Sequence, residues 1–124
     1  MSPTNYARGY AIENKLVNLY KDNGWVATRT AGSHGAFDVA AFGPNGEIHL
    51  VQLKAQDGKS ASYKSDISRL ESLNVNQGIQ KIFAVWRNGW GWLQVLELNG
   101  SLRYGLPTWY PQPRSPWVKP DTSI

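Results

Sequence analysis

A chain of 124 residues with no cysteine and a formal net charge of +4 is long enough to bury a core as one domain without disulfides. The missing thiols exclude zinc ribbons, cysteine nucleophiles and disulfide scaffolds, and no stretch approaches the roughly 20 apolar residues of a membrane span. The moderate excess of Lys and Arg is compatible with a polyanion partner without requiring one; with no apolar signal-peptide run in MSPTNYARGY, a cytoplasmic location is expected, the host cytoplasm if the protein is viral.

Ser2 or Thr4 can supply an N-cap, Pro3 a first-turn residue and Gly24, after Asp22 and Asn23, a stop signal. About 20 residues between them are therefore predicted helical. Tyr6, Tyr10, Glu13, Val17 and Tyr20 recur at helical spacing, which places a carboxylate inside an otherwise aromatic and aliphatic stripe. Glu13 is then either a rim acid paired with a nearby cation or a group facing a site.

Trp25 to Thr30 is predicted to form a strand with Arg29 near its end, and the small residues of AGSHG, 31–35, a loop. Asp38 opens a second strand, Val39 to Phe42; Gly43, Pro44, Asn45 and Gly46 turn the chain; Ile48 to Lys54 returns as a third. Alternation puts Ile48, Leu50, Gln52 and Lys54 on one face and His49, Val51 and Leu53 on the other. Gln52 and Lys54 sit roughly 7 Å apart along the strand, and an in-register hairpin brings Asp38 beside them.

The polar stretch AQDGKSASYKSD is expected to be exposed, with Ser65 or Asp66 capping a helix to Leu73 whose Ile67, Leu70 and Leu73 face inward. Lys81 to Trp86 and Trp90 to Leu98 form a hairpin about Arg87, Asn88 and Gly89, and a turn at Asn99 and Gly100 precedes a short SLRY strand. From Pro107 onward, five of the seven prolines fall in 18 residues, a composition for an extended tail. One domain over residues 1–106 and a Pro-rich tail over 107–124 are expected. The class is α/β, a mixed sheet flanked by helices in the order α-β-β-β-α-β-β.

Arg8, Gly9 and Glu13 in RGYAIE, the RTAGS loop from Arg29 to Ser33, Asp38 in FDVAA, and Gln52 with Lys54 in VQLK together resemble the PD-(D/E)XK nuclease superfamily. Within it they look most like the archaeal-type Holliday junction resolvases and their phage relatives, over about residues 6–98. The resemblance implies a restriction-endonuclease-like core and a homodimeric, Mg²⁺-dependent endodeoxyribonuclease, with Mn²⁺ able to substitute. Its action would be paired symmetric nicks that resolve four-way junctions. It implies Asp38, the Gln52 side-chain oxygen, the Leu53 carbonyl and Glu13 as metal ligands. Lys54 would orient water or stabilise developing charge, and Ser33 would act at the scissile phosphate. Arg8, Arg29, Ser33, His34, Lys59 and Lys64 are the expected DNA contacts.

The residue types suit that chemistry, since phosphodiester hydrolysis needs an aligned water and positive charge where oxygen becomes negative. One departure stands out: Gln52 takes the place of the resolvases' usual Glu, as in the Mrr-like restriction branch. An amide oxygen ligates Mg²⁺ with less attraction than a carboxylate. Two rivals therefore stay open, a restriction or repair nuclease on duplex DNA and a DNA-binding module whose metal site has decayed. Taken singly, Asp38 could close a turn, and Gln52 and Lys54 could be a solvated strand face. Trp86, Trp90 and Trp92 are read as core or interface before base-stacking platforms, and Lys15 and Lys21 as either a phosphate-contacting or a solvated face.

Overall fold

A computed structural model describes residues 5–30, 35–56, 63–76, 78–87, 89, 91–98 and 106–113, with only the backbone of 5–9. The elements are α1 (Asn5–Asp22), β1 (Val26–Arg29), β2 (Val39–Phe42), β3 (Ile48–Gln56), α2 (Lys64–Glu71), β4 (Ile79–Arg87) and β5 (Gly91–Glu97). This is the expected order. The strands make one five-stranded sheet in sequence order, antiparallel except for β3 and β4, which run parallel and are joined through α2. Such a mixed sheet with a helix on each face is an α/β arrangement consistent with a restriction-endonuclease-like core.

The α1 helix stops where its sequence says it should. Gly24 takes φ 82°, a conformation that L side chains rarely adopt, and the Asn23 and Gly24 amides fold back to the carbonyls of Tyr20 and Lys21. The stripe that α1 buries is Ile12, Leu16, Val17 and Tyr20, rotated from the stripe expected in the sequence. Tyr10 is 45% exposed and Glu13 is half-buried, so both sit on the margin of the packed face. Rows three and four residues apart run side by side on a helix, and only packing against the sheet decides which row is covered.

Alternation along the sheet builds two cores. Val39, Ala41, Val51, Leu53, Ile82, Ala84 and Trp86 join the α1 side, while Phe83 and Val85 meet Leu70, Ile67 and Tyr63 on the α2 side. Trp86 and Trp92 are buried edge to face, 5.1 Å between centroids, which favours core over base stacking for this pair. Trp90 lies outside the described residues.

Element boundaries differ from the sequence expectation by one to three residues, β4 for example running Ile79–Arg87 rather than Lys81–Trp86. β3 runs on through Gln56 because the parallel ladder pairs Ala55 with Trp86 and Gln56 with Arg87, so the polar stretch begins as strand. The α2 helix starts at Lys64 with Tyr63 at the N-cap position and no side-chain cap bond, whereas Ser65 and Asp66 lie inside it. It closes at Glu71, and Leu73 follows half-buried outside the helix. The expected SLRY strand and the caps Ser2 and Thr4 lie outside the described residues.

Residues 106–113 hold neither helix nor strand, as their prolines require, yet they are packed. Tyr110 is 2% exposed, and Leu106 and Trp109 lie against the α1-side core. Tyr20, Trp25, His49, Trp109 and Tyr110 form a cluster of rings with centroids 4.6 to 5.8 Å apart. Within it the Tyr20 hydroxyl lies 2.8 Å from His49 Nδ1 and 2.9 Å from the Tyr110 hydroxyl. His49 Nε2 lies 3.1 Å from Gln80 Oε1. Since Gln80 offers an oxygen, the neutral imidazole carries its proton on Nε2 and accepts at Nδ1. Among the described residues no helix is long and apolar enough to cross a membrane.

Candidate active site

The β2–β3 ladder fixes the first part of the site. Val39 pairs with Val51, which puts Asp38 one step before β2, opposite Gln52, and turns it to the face that carries Gln52 and Lys54. The Asp38 amide donates to the Val51 carbonyl at 2.8 Å, and Asp38 Oδ2 accepts the Leu53 amide at 2.9 Å. The N–H and C=O of one strand residue point to the same side, so the Leu53 carbonyl also opens toward Asp38, past the start of β2. The end of β1 is tied in by Thr30, whose amide donates to the Asp38 carbonyl and whose hydroxyl donates to the Phe37 carbonyl.

These groups line a cleft of about 350 Å³. It is lined by Asp38, Gln52, Leu53 and Lys54, by Tyr10 and Glu13 of α1, by Arg29, Thr30 and Gly35, and by Arg69 of α2. Glu13 Oε1 accepts from Arg29 Nε at 2.8 Å, and the Arg29 guanidinium lies 4.0 Å from the Tyr10 ring centroid, a cation–π contact. Glu13 is thus paired with a nearby cation, as the rim-acid reading expects, and it also lines the cleft. Lys54 Nζ bonds Asp66 Oδ1 of α2 at 3.1 Å.

Burial dominates the electrostatics of Asp38 and holds its carboxyl above the usual carboxylate range. The Leu53 amide and the Lys54 charge pull the other way, and the Glu13 and Asp66 charges add to the rise. Gln52 is 7% exposed, and its side-chain amide has no hydrogen-bond partner among the described residues. An unpaired buried amide costs about 1 to 3 kcal/mol, an expense that a ligand in the cleft would offset.

Among the described residues no three His, Cys, Asp or Glu side chains come together as a metal-holding group. The cleft itself offers two carboxylates, an amide oxygen and a backbone carbonyl. An all-oxygen set of this kind matches a hard divalent cation, and the unpartnered Gln52 oxygen is the observation that favours the match.

The structure thus brings together Glu13, Arg29, Asp38, Gln52, Leu53 and Lys54. Lys64 is exposed on α2 and does not line the cleft. Ser33, His34 and Lys59, and the side chain of Arg8, lie outside the described residues. Lys15 stands over the Trp86 ring at 4.8 Å, away from the cleft lining. Tyr10, Thr30, Asp66 and Arg69 are not assigned to a site by the sequence pattern, which reads Tyr10 as part of the helix stripe and Asp66 as a cap. Arg69 follows Asp66 by three residues, a spacing that shares a helix face, which is the only sequence signal that ties them.

A family model described as archaeal Holliday junction resolvase matches residues 4–96. No curated protein matches the chain.

Proposed function

The chain belongs to the archaeal Holliday junction resolvase family, and from that premise we propose that the cleft at Asp38 hydrolyses phosphodiesters in four-way DNA junctions. The supporting observation is that Glu13, Asp38, Gln52 and Lys54, all inside the matched span, line one cleft. Asp38, the Gln52 oxygen, the Leu53 carbonyl and Glu13 would hold Mg²⁺, or Mn²⁺ in its place. When bound, the cation supplies positive charge to the phosphate oxygens and favours ionisation of water.

The chain's own groups do the rest. Lys54 orients the attacking water and donates toward the oxygen on which charge accumulates. Arg29 and Arg69, both lining the cleft, contact phosphate, and a guanidinium is suited to that by its planar fork of donors. Ser33 acts at the scissile phosphate, with Arg8, His34, Lys59 and Lys64 as further DNA contacts. Glu13 begins paired with Arg29, so taking a metal requires that carboxylate to be shared or released.

Paired symmetric nicks require two such clefts on one two-fold body. A homodimer is supported by Val26 and Phe42, opposite each other in the β1–β2 ladder and 69% and 45% exposed. They lie on the sheet face turned away from α1. Sedimentation at micromolar concentration should return twice 13.9 kDa. The domain is proposed to span residues 1–106, with the Pro-rich segment from 107 docked on its core through Trp109 and Tyr110, and to work in the cytoplasm.

A second reading is favoured by the neutral Gln52 and the Glu13–Arg29 pair: a junction-binding module that no longer cuts. The deciding experiment incubates the protein with Mg²⁺ or Mn²⁺ and an immobile junction or a linear duplex of the same arms. Paired cuts confined to the junction establish the resolvase. Cutting of duplex alone moves the assignment to a restriction-like nuclease, and tight binding without cutting to the module.

A further inference from the structure

We infer that Asp66, on α2, is the positioning residue for Lys54, an inference that rests on the nuclease reading of the cleft. Lys54 lies on β3 and lines the cleft, but a lysine ammonium on four flexible carbons does not by itself stand in one place. Asp66 Oδ1 holds it at 3.1 Å, with the Asp66 side chain 20% and the Lys54 side chain 37% exposed.

What makes this pair more than a surface ion pair is how firmly its acidic end is mounted. Leu70 is fully buried against Phe83 and Val85 of β4, with Ile67 and Tyr63 beside it. The Tyr63 hydroxyl donates to Gln56 Oε1 at 3.2 Å, which ties the start of α2 to the end of β3, two residues beyond Lys54. The first turn of α2 is thereby fixed from β4 on one side and from β3 on the other. Asp66 is then a rigid post and Lys54 the mobile partner. An exposed pair of this kind contributes little to stability, so its consequence is the place it gives the ammonium beside Gln52 and Asp38.

Asp66 also occupies a first-turn position where an acid favours the helix dipole. The experiment must separate that bland role from positioning. Single-turnover cleavage of an immobile four-way junction by the whole chain in Mg²⁺ is compared for wild type, Asp66→Asn, Asp66→Glu and Ser65→Gly. Junction affinity and melting temperature are measured alongside. Ser65→Gly loosens the same turn without touching Lys54.

The expected result is a cleavage rate for Asp66→Asn lowered by roughly tenfold to a hundredfold, with junction affinity unchanged. Asp66→Glu should recover part of that rate, and Ser65→Gly should cut at the wild-type rate. A wild-type or faster rate in Asp66→Asn overturns the inference, as does an equal loss in Ser65→Gly or a loss seen only as weaker binding. Those outcomes leave the nuclease reading standing. A wild-type chain that does not cut overturns the reading and the inference with it.

Discussion

Asp38 Oδ2 accepts the backbone amide of Leu53 at 2.9 Å, so the acid is bonded to the strand that carries Gln52 and Lys54. This bond separates two substitutions. Asp38→Asn keeps an oxygen that can accept from Leu53 and loses the negative charge, so the fold should persist while junction cutting falls by more than roughly a hundredfold. Asp38→Ala also leaves the Leu53 amide unpaired, and unfolding in urea should show an added loss of about 1 to 3 kcal/mol. Equal stability of the two variants would mean that the bond is not formed in solution.

Gln52→Glu tests the amide as a metal ligand without relying on turnover. A third carboxylate beside Asp38 and Glu13 adds like-charge repulsion in a buried place, so the metal-free variant should melt below wild type. Added Mg²⁺ should then raise its melting temperature more than it raises that of wild type. Binding at a hundred times the dissociation constant is worth about 2.7 kcal/mol, well within reach of a thermal melt. A metal-induced shift no larger than that of wild type would remove Gln52 from the ligand set.

The hairpin part of this site was legible because strand alternation and a four-residue turn fix register together. Val39 opposite Val51 is the pairing that sets Asp38 against Gln52, and a slip by one residue would bury the wrong face. The α1 stripe was less legible. Tyr10 and Glu13 share helical spacing with Val17 and Tyr20, yet so do Ile12 and Leu16, and only the latter pair is buried with them. The lining supplied by Tyr10 and Arg69 depends on how the two helices cross the sheet, which no local pattern records. Proline content argued against helix and strand after Pro107, and among residues 107–113 neither forms, but it could not show that the chain turns from Pro107 to Tyr110 and packs Tyr110 and Trp109 beside Tyr20.

His49 makes the fold sensitive to acid. Burial, opposed by the Gln80 bond and the Glu47 charge, pushes its pKa down from 6.5 to about 4. The unfolded chain therefore binds the proton more readily than the folded one between those values, and stability rises with pH across them. Its contribution is full above pH 6.5 and is lost as pH falls toward 4, a loss of about 2 kcal/mol at pH 5. Urea midpoints at pH 7.5 and pH 5 should differ accordingly in wild type. His49→Gln, which does not titrate there, should shrink that difference; an unchanged difference would place the acid sensitivity elsewhere.

The Tyr20 and Tyr110 hydroxyls, 2.9 Å apart, hold residues 106–113 to the core, and the two rings should be unequal in the stability they carry. Tyr110→Phe keeps the ring and leaves the Tyr20 hydroxyl its His49 partner, so the expected loss is about 1 kcal/mol. Tyr20→Phe strands both His49 Nδ1 and the Tyr110 hydroxyl and should cost about 2 to 3 kcal/mol. Tyr110→Ala empties a site where the ring is 2% exposed and should cost about 3 to 5 kcal/mol, with limited proteolysis newly cutting within residues 106–113. If the segment does not dock in solution, the two Tyr110 variants will unfold at the wild-type urea midpoint and the proteolytic pattern will not change.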